Sequence, residues 1–115
     1  MENEQAPAYG AQAPHRQALR EFAPKLMELT DDVVFGDVWE RAELGQRDRS
    51  LITVAALVAL NREDQLRRHI QRALDNGVTQ TELVEVITHL AFYSGWPTAM
   101  TAARIAKEAC DQRDS

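Results

Sequence analysis

The chain has 115 residues, with 13 Lys+Arg against 18 Asp+Glu, a formal net charge of −5 and one cysteine. That length predicts one domain, and the acidic balance argues against general nucleic-acid binding, which needs a surplus of Lys and Arg to neutralise phosphate. Cys110 alone can form neither an internal disulfide, nor a dithiol redox centre, nor a thiolate zinc cage, and no apolar run reaches the roughly 20 residues that span a bilayer.

The stretch from Met1 to Pro14 is rich in Ala, Gln and Pro without apolar period, and lacks the charged-then-apolar layout of a signal peptide. It reads as a flexible arm over residues 1–14, ahead of a single cytoplasmic domain over 15–115. A first short helix is expected over Arg16–Phe22, ended because Pro24 disfavours α geometry at Ala23. Pro24 suits the first turn of a second helix that runs to about Glu40, with Leu26, Leu29, Val33 and Val34 as its stripe. A third, about Arg47–Leu60, contains Leu-Ile-Thr-Val-Ala-Ala-Leu-Val-Ala-Leu and is apolar nearly all round, which predicts the central helix.

Asn61 is placed to cap a fourth helix, which Asn76-Gly77 stops. Thr79 and Glu82 form a capping box for a fifth helix reaching Ser94. Gly95 ends it, and Pro97 sits where a sixth begins, running to about Cys110. No period-two pattern occurs, so the expected fold is all-α with six helices, the fourth and fifth an antiparallel pair packed on the third.

Charge is laid out unevenly. Residues 1–45 carry nine acidic and four basic residues, and residues 46–115 carry nine of each, so the whole −5 lies in the first part. Six arginines (Arg47, Arg49, Arg62, Arg67, Arg68 and Arg72) crowd the start of the neutral part. They form either a solvated helix face or a cluster in which one or two point inward to hold an anion.

His69 flanks the apolar stripe Leu66–Ile70–Ala73. It fits a hydrogen-bonded boundary residue, or a general acid or base that works near neutral pH. His89 follows Glu85 by four residues and Glu82 by seven, so the three share a helix face. That spacing suits a surface carboxylate–imidazole pair, or a carboxylate that orients a catalytic imidazole. If the fourth and fifth helices are antiparallel, His69, Glu85 and His89 face one cleft. No His-Glu-x-x-His or paired-His motif supports a metal, and no Gly-rich loop follows a strand to cradle phosphate. Phe92-Tyr93-Ser94-Gly95-Trp96-Pro97 is either packing at a helix end or the wall of a small pocket, where Tyr93 and Trp96 offer O–H and N–H donors.

These blocks together resemble the carboxymuconolactone decarboxylase family, within the alkylhydroperoxidase D-like superfamily, over about Phe35–Lys107. The resemblance rests on Phe35-Gly36-Asp37-Val38-Trp39, on Arg49-Ser50-Leu51-Ile52-Thr53-Val54-Ala55, and on Leu66-Arg67-Arg68-His69 followed by Ala73-Leu74-Asp75-Asn76-Gly77-Val78-Thr79. It continues through Glu82-Leu83-Val84-Glu85-Val86-Ile87 and Tyr93-Ser94-Gly95-Trp96-Pro97. It implies a six-helix alkylhydroperoxidase D-like bundle. The thiol branch of that superfamily uses Cys-x-x-Cys-x-x-x-His. With its His aligned on His69, Arg62 and Gln65 stand at the two cysteine positions, so its dithiol cycle has no counterpart here.

The decarboxylase branch implies a cofactor-independent lyase acting on a small anionic lactone or oxo-acid. The resemblance places Arg49 as the holder of the anion and His69 as the proton donor. It adds Tyr93 or His89 as supporting donors, while the residue spacing adds Glu85 to the catalytic set as the carboxylate that orients His89, and the helix-end aromatics Tyr93 and Trp96 are expected to bind substrate. It implies a homo-oligomer, a trimer or a hexamer. Gln65 stands where those enzymes usually carry Glu. Two other readings stay open: an oxidative enzyme without thiols, peroxidase-like or using a metal on His69, Glu85 and His89, and a non-catalytic small-molecule-binding protein on the same scaffold.

Overall fold

The computed structural model describes residues 13–114, and most of the expected arm, residues 1–12, lies outside them. The described residues contain helices and no strand, as the absent period-two pattern predicts. The chain divides into two compact units, Met1–Gln46 and Arg47–Ser115.

In the first unit, α1 (Ala13–Phe22) stops at Ala23, whose backbone leaves the helical region ahead of Pro24 as the pre-proline clash requires. Pro24 then opens α2 (Pro24–Leu29). The expected continuous helix to Glu40 does not form. A π turn follows over Thr30–Phe35, and a 3-10 turn over Val38–Glu40. Two local causes are visible. Thr30 Oγ1 donates back to the Leu26 carbonyl at 2.8 Å, a bond that bends helices. Asp31 is held from α1 by Arg16 at 2.8 Å and Arg20 at 2.6 Å, arginines one helical turn apart. Gly36 closes the π turn, where an added Cβ would stand 2.8 Å from the carbonyl oxygens of both Asp31 and Asp32. The backbone passes too closely there for any side chain.

The second unit holds most of α3 (Gln46–Leu60), α4 (Glu63–Asp75), α5 (Gln80–Ser94) and α6 (Trp96–Asp114). Its core joins Val54 and Val58 of α3, Leu66, Ile70 and Ala73 of α4, Leu83 and Ile87 of α5, and the alanines of α6. The expectation that α3 is central is not met. Only the stripe Ser50–Val54–Val58 is buried, at a spacing of four, while Ile52 and Leu60 stand in solvent. The central helix is α6, which packs against both α4 and α5. Ala99, Ala102, Ala106 and Ala109 are buried on it around Ile105, and such small side chains let neighbouring backbones come close. Composition hid this: an Ala-rich helix reads as weakly apolar although it carries the largest number of buried residues of the described helices. The α4–α5 pairing is correspondingly minor, and α6 lies against each of them instead.

Helix ends follow the local chemistry, with one change. Asn61 does not cap α4. It takes a left-handed conformation at φ 59°, and the Asn61 and Arg62 amides close α3 onto Val58 at 3.1 Å and Leu57 at 3.0 Å. The same motif ends α4, with Gly77 at φ 100°, Gly77 N to Leu74 O at 3.2 Å and Val78 N to Ala73 O at 2.9 Å. The capping box of α5 forms as expected. Thr79 Oγ1 accepts from the Glu82 amide at 3.1 Å, and Glu82 accepts from the Thr79 amide at 2.9 Å. Glu82 also pairs with Arg47 of α3.

Candidate active site

The α4 sequence places two kinds of residue on its inward side. Leu66, Ile70 and Ala73 fill the core, and along one flank of that stripe run His69, Arg72 and Asn76 at spacings of three and four. This flank stays polar inside the molecule. His69 is 8% exposed and Arg72 is 6% exposed, an unusual depth for an arginine. At the end of the flank, Asn76 Nδ2 donates to Ser50 Oγ of α3 at 2.9 Å, and Ser50 is wholly buried. Both hydroxyl and amide are thereby satisfied, and the polar flank is joined to α3 one residue after Arg49.

Charge on this part of α4 is one-sided. Burial first, then the neighbouring Arg72 and Arg68 charges, hold the His69 pKa down at about 4. The imidazole is therefore neutral at pH 7 in the protein without substrate. Arg67 Nη1 is buried with no hydrogen-bond partner among the described residues. No described carboxylate forms an ion pair with Arg67 or Arg68, whereas Arg104 and Arg113 of α6 pair with Glu63 and Asp75 at 3.8 and 2.9 Å. Arg67 and Arg68, half-buried cations without an ion-paired carboxylate among the described residues, have the chemistry of an anion site.

The other expected site residues stand elsewhere. Glu85 and His89 lie on the exposed side of α5, opposite the Leu83–Ile87–Ala91 stripe that faces the core. No ion pair joins them. His89 stacks instead on Tyr93, with ring centroids 4.8 Å apart and planes 27° apart. Phe92 and Trp96 meet edge to face at 5.5 Å. Phe92 and Tyr93 are 74% and 77% exposed, so these aromatics form an outward edge and no closed pocket wall within one chain. The expected cleft shared by His69, Glu85 and His89 does not form within the chain, and no three described His, Cys, Asp or Glu residues are grouped to hold a metal ion. Arg49 sits half-buried in the first turn of α3.

A groove of about 310 Å³ runs between α5 and α6, lined by Leu83, Val84, Ile87, Ala106 and Cys110 with Lys107 at its rim. It contains none of the expected site residues. Burial, then Asp114 and Asp111, push the Cys110 thiol pKa upward, which keeps it protonated and a poor nucleophile. Arg72 is the site residue that spacing alone could have singled out: three positions after His69, it shares that residue's flank of α4.

The geometry thus defines an all-helical protein over the described residues, whose buried polar groups are His69, Arg72 and Ser50 and whose one cysteine is held as a thiol. The chain belongs to the carboxymuconolactone decarboxylase family, whose model matches residues 24–108. It is 40% identical over 90 residues to the 4-carboxymuconolactone decarboxylase of Acinetobacter baylyi, a match covering 78% of this chain and 67% of that relative. It is 32% identical over 81 residues to the nitrosuccinic acid decarboxylase of Metarhizium robertsii, covering 70% of this chain and 57% of that relative. The chain therefore spans little more than half of the second relative's length. Two relatives named as decarboxylases support an enzyme of the carboxy-lyase kind. No helix among the described residues is long and apolar enough to cross a membrane.

Proposed function

We propose that the protein is a cofactor-independent decarboxylase of a small, multiply charged acid, either an anionic lactone or a related oxo-acid. The observation that carries this reading is His69, buried beside Arg72 and Arg68 in a cationic patch on α4. The names of the two relatives supply the reaction type. Both named substrates share a chemical feature: the carbon that loses CO2 can pass its electron pair to an acceptor already in the molecule. That acceptor is a conjugated lactone carbonyl in one and a nitro group in the other. A substrate with its own electron sink needs no prosthetic group to provide one.

The reaction then has three requirements. Arg49 and the α4 arginines hold the carboxylate that stays, leaving the departing carboxylate on the less polar side. As the carbon–carbon bond breaks, CO2 leaves and its bonding pair moves into the acceptor, where cationic groups and hydrogen-bond donors stabilise the new charge. His69 then delivers a proton to carbon, and the product is the acid shortened by one carboxyl group. Glu85, His89, Tyr93 and Trp96 belong to this proposal as supporting groups. Tyr93 and His89 act as donors, Glu85 as the acidic neighbour of His89, and Trp96 as an apolar wall.

Assembly is the second half of the reading. Phe92, Tyr93, Trp96 and Met100 are all exposed along one edge, the kind of apolar patch that marks a contact between proteins, and this supports a homo-oligomer, a trimer or a hexamer. In that arrangement the outward groups of α5 line a pocket at a contact between copies. The test is direct. Purified protein is offered 4-carboxymuconolactone, nitrosuccinate and a lactone lacking the second carboxylate, and CO2 release is followed at pH 7. The reading expects release from at least one dicarboxylate and none from the monocarboxylate; no release from any of them overturns it.

A further inference from the structure

We propose that the face shared by α5 and α6 is a two-fold contact between copies of this chain, in which the aromatic end of each copy fills the groove of the other. This names the surface and symmetry for the assembly half of the reading above, on which it rests, and is independent of the decarboxylase chemistry.

Spacing puts the groove and the aromatic edge on one surface. Val84 and Thr88 line the groove on α5, and Phe92 continues their stripe at intervals of four. Ala103 and Lys107 line it on α6, and Met100 and Trp96 extend that stripe by three and four residues toward the helix start. The start of α5 meets the end of α6 at the groove. The end of α5 meets the start of α6 where Phe92 packs on Trp96, so the two helices are antiparallel. One face therefore has a hollow at one end and a projecting aromatic cluster at the other.

Both ends have the chemistry of a contact that excludes water. Val84, Phe92, Trp96 and Met100 are each more than half exposed. Lys107 is the one charge in the two stripes, which matches the depletion of charge at interface centres. The polar groups are already satisfied: Thr88 Oγ1 donates to the Val84 carbonyl at 2.9 Å, and Lys107 pairs with Asp111 at 2.7 Å. Covering the face thus strands no donor or acceptor of these side chains. The sizes also agree. A cavity of about 150 Å³ holds one benzene ring, and the groove of about 310 Å³ has room for the rings of Phe92 and Trp96.

Half a turn about an axis crossing the helices near Thr88 and Ala103 reverses the face end for end. Val84 of one copy then opposes Phe92 of the other. Lys107 of one copy comes over Trp96 of the other, where the negative ring face complements the ammonium charge. Because hollow and cluster share a face, this half turn fills both hollows at once. A head-to-tail contact would leave one of each open. The contact therefore makes pairs, and a hexamer is three such pairs.

The experiment is light scattering of the full chain over a micromolar concentration series, with circular dichroism showing that each variant keeps its helices. The wild type should be an even multiple of the 13.0 kDa chain. Val84→Glu in the hollow and Phe92→Lys in the cluster should each weaken pairing by about thirtyfold or more. These positions are two helical turns apart on α5 and do not reach each other within a chain. Across the half turn they meet twice, so the double variant should recover about tenfold of the lost affinity. Ile52→Glu, on an exposed site of α3, should keep the pairs. A single-chain or odd-numbered wild type overturns the proposal. So do a wild-type size kept by both single variants, a double variant no stronger than the singles, and equal weakening by Ile52→Glu. CO2 release by a protein that fails these tests would leave the decarboxylase reading standing. Pairs that behave as expected but release no CO2 would retain the contact and remove that reading.

Discussion

His69 carries a stability consequence that is independent of any substrate. Its imidazole has a pKa of about 4 in the folded protein, against the ordinary 6.5 of an unfolded chain. Between those values the unfolded state binds a proton that the folded state does not. The contribution is therefore fully retained above pH 6.5 and lost as pH falls toward 4. The full loss is on the order of 3 kcal/mol. Denaturant unfolding at pH 7 and at pH 4.5 should show a large acid-induced drop in the wild type and a clearly smaller one in His69→Gln. Equal drops would mean that the folded imidazole is not held neutral. Gly36 gives a second test at this scale. Gly36→Ala places a methyl against two carbonyl oxygens of the π turn, so the turn must open, and a destabilisation of about 1–3 kcal/mol is expected by thermal or denaturant unfolding.

Among the elements, α6 is the one whose disturbance should cost most. Ala102 is enclosed where α6 meets its neighbours, and Ala102→Leu forces extra volume into that contact at a cost of about 1–3 kcal/mol. The same change at the exposed Ala103 should cost less than about 0.5 kcal/mol, and comparing the two unfolding midpoints checks the assignment of the central helix. Thr79→Ala removes one half of the α5 capping box and should cost about 1 kcal/mol.

How far these elements could be read from residues alone depended on how local their determinants are. Pro24, Thr79 with Glu82, Gly77 and Gly95 act within a few residues of themselves, and the helix ends they predict are present. Asn61 was ambiguous because asparagine both caps helix starts and tolerates the left-handed conformation that ends them. The helix expected through Glu40 failed because its bend depends on Asp31 being drawn to arginines of another helix. The misplaced centre has a similar origin: side-chain size favoured α3, whereas enclosure depends on which helix neighbours two others. In the site, the depth of His69 and its arginine neighbours followed from spacing on one helix. The outward orientation of Glu85 and His89 depended on which face of α5 meets α6, and no spacing within α5 reports that.

At the scale of the whole molecule, a buried charge centre is combined with an exposed aromatic edge. The edge predicts association: light scattering at micromolar concentration should give a multiple of the 13.0 kDa chain mass, and Trp96→Glu should shift the population toward the single chain. A lone 13.0 kDa species in the unsubstituted protein would remove assembly from the account. The charge centre bears on the chemistry itself. The most direct test of the central claim is the initial rate of CO2 release from 4-carboxymuconolactone by the wild type and by His69→Gln, at pH 7 and equal folded protein. A buried histidine that returns the proton to carbon predicts measurable release by the wild type and a loss of about 100-fold or more in the variant. An equal rate in the two proteins, or no release by the wild type, would contradict it.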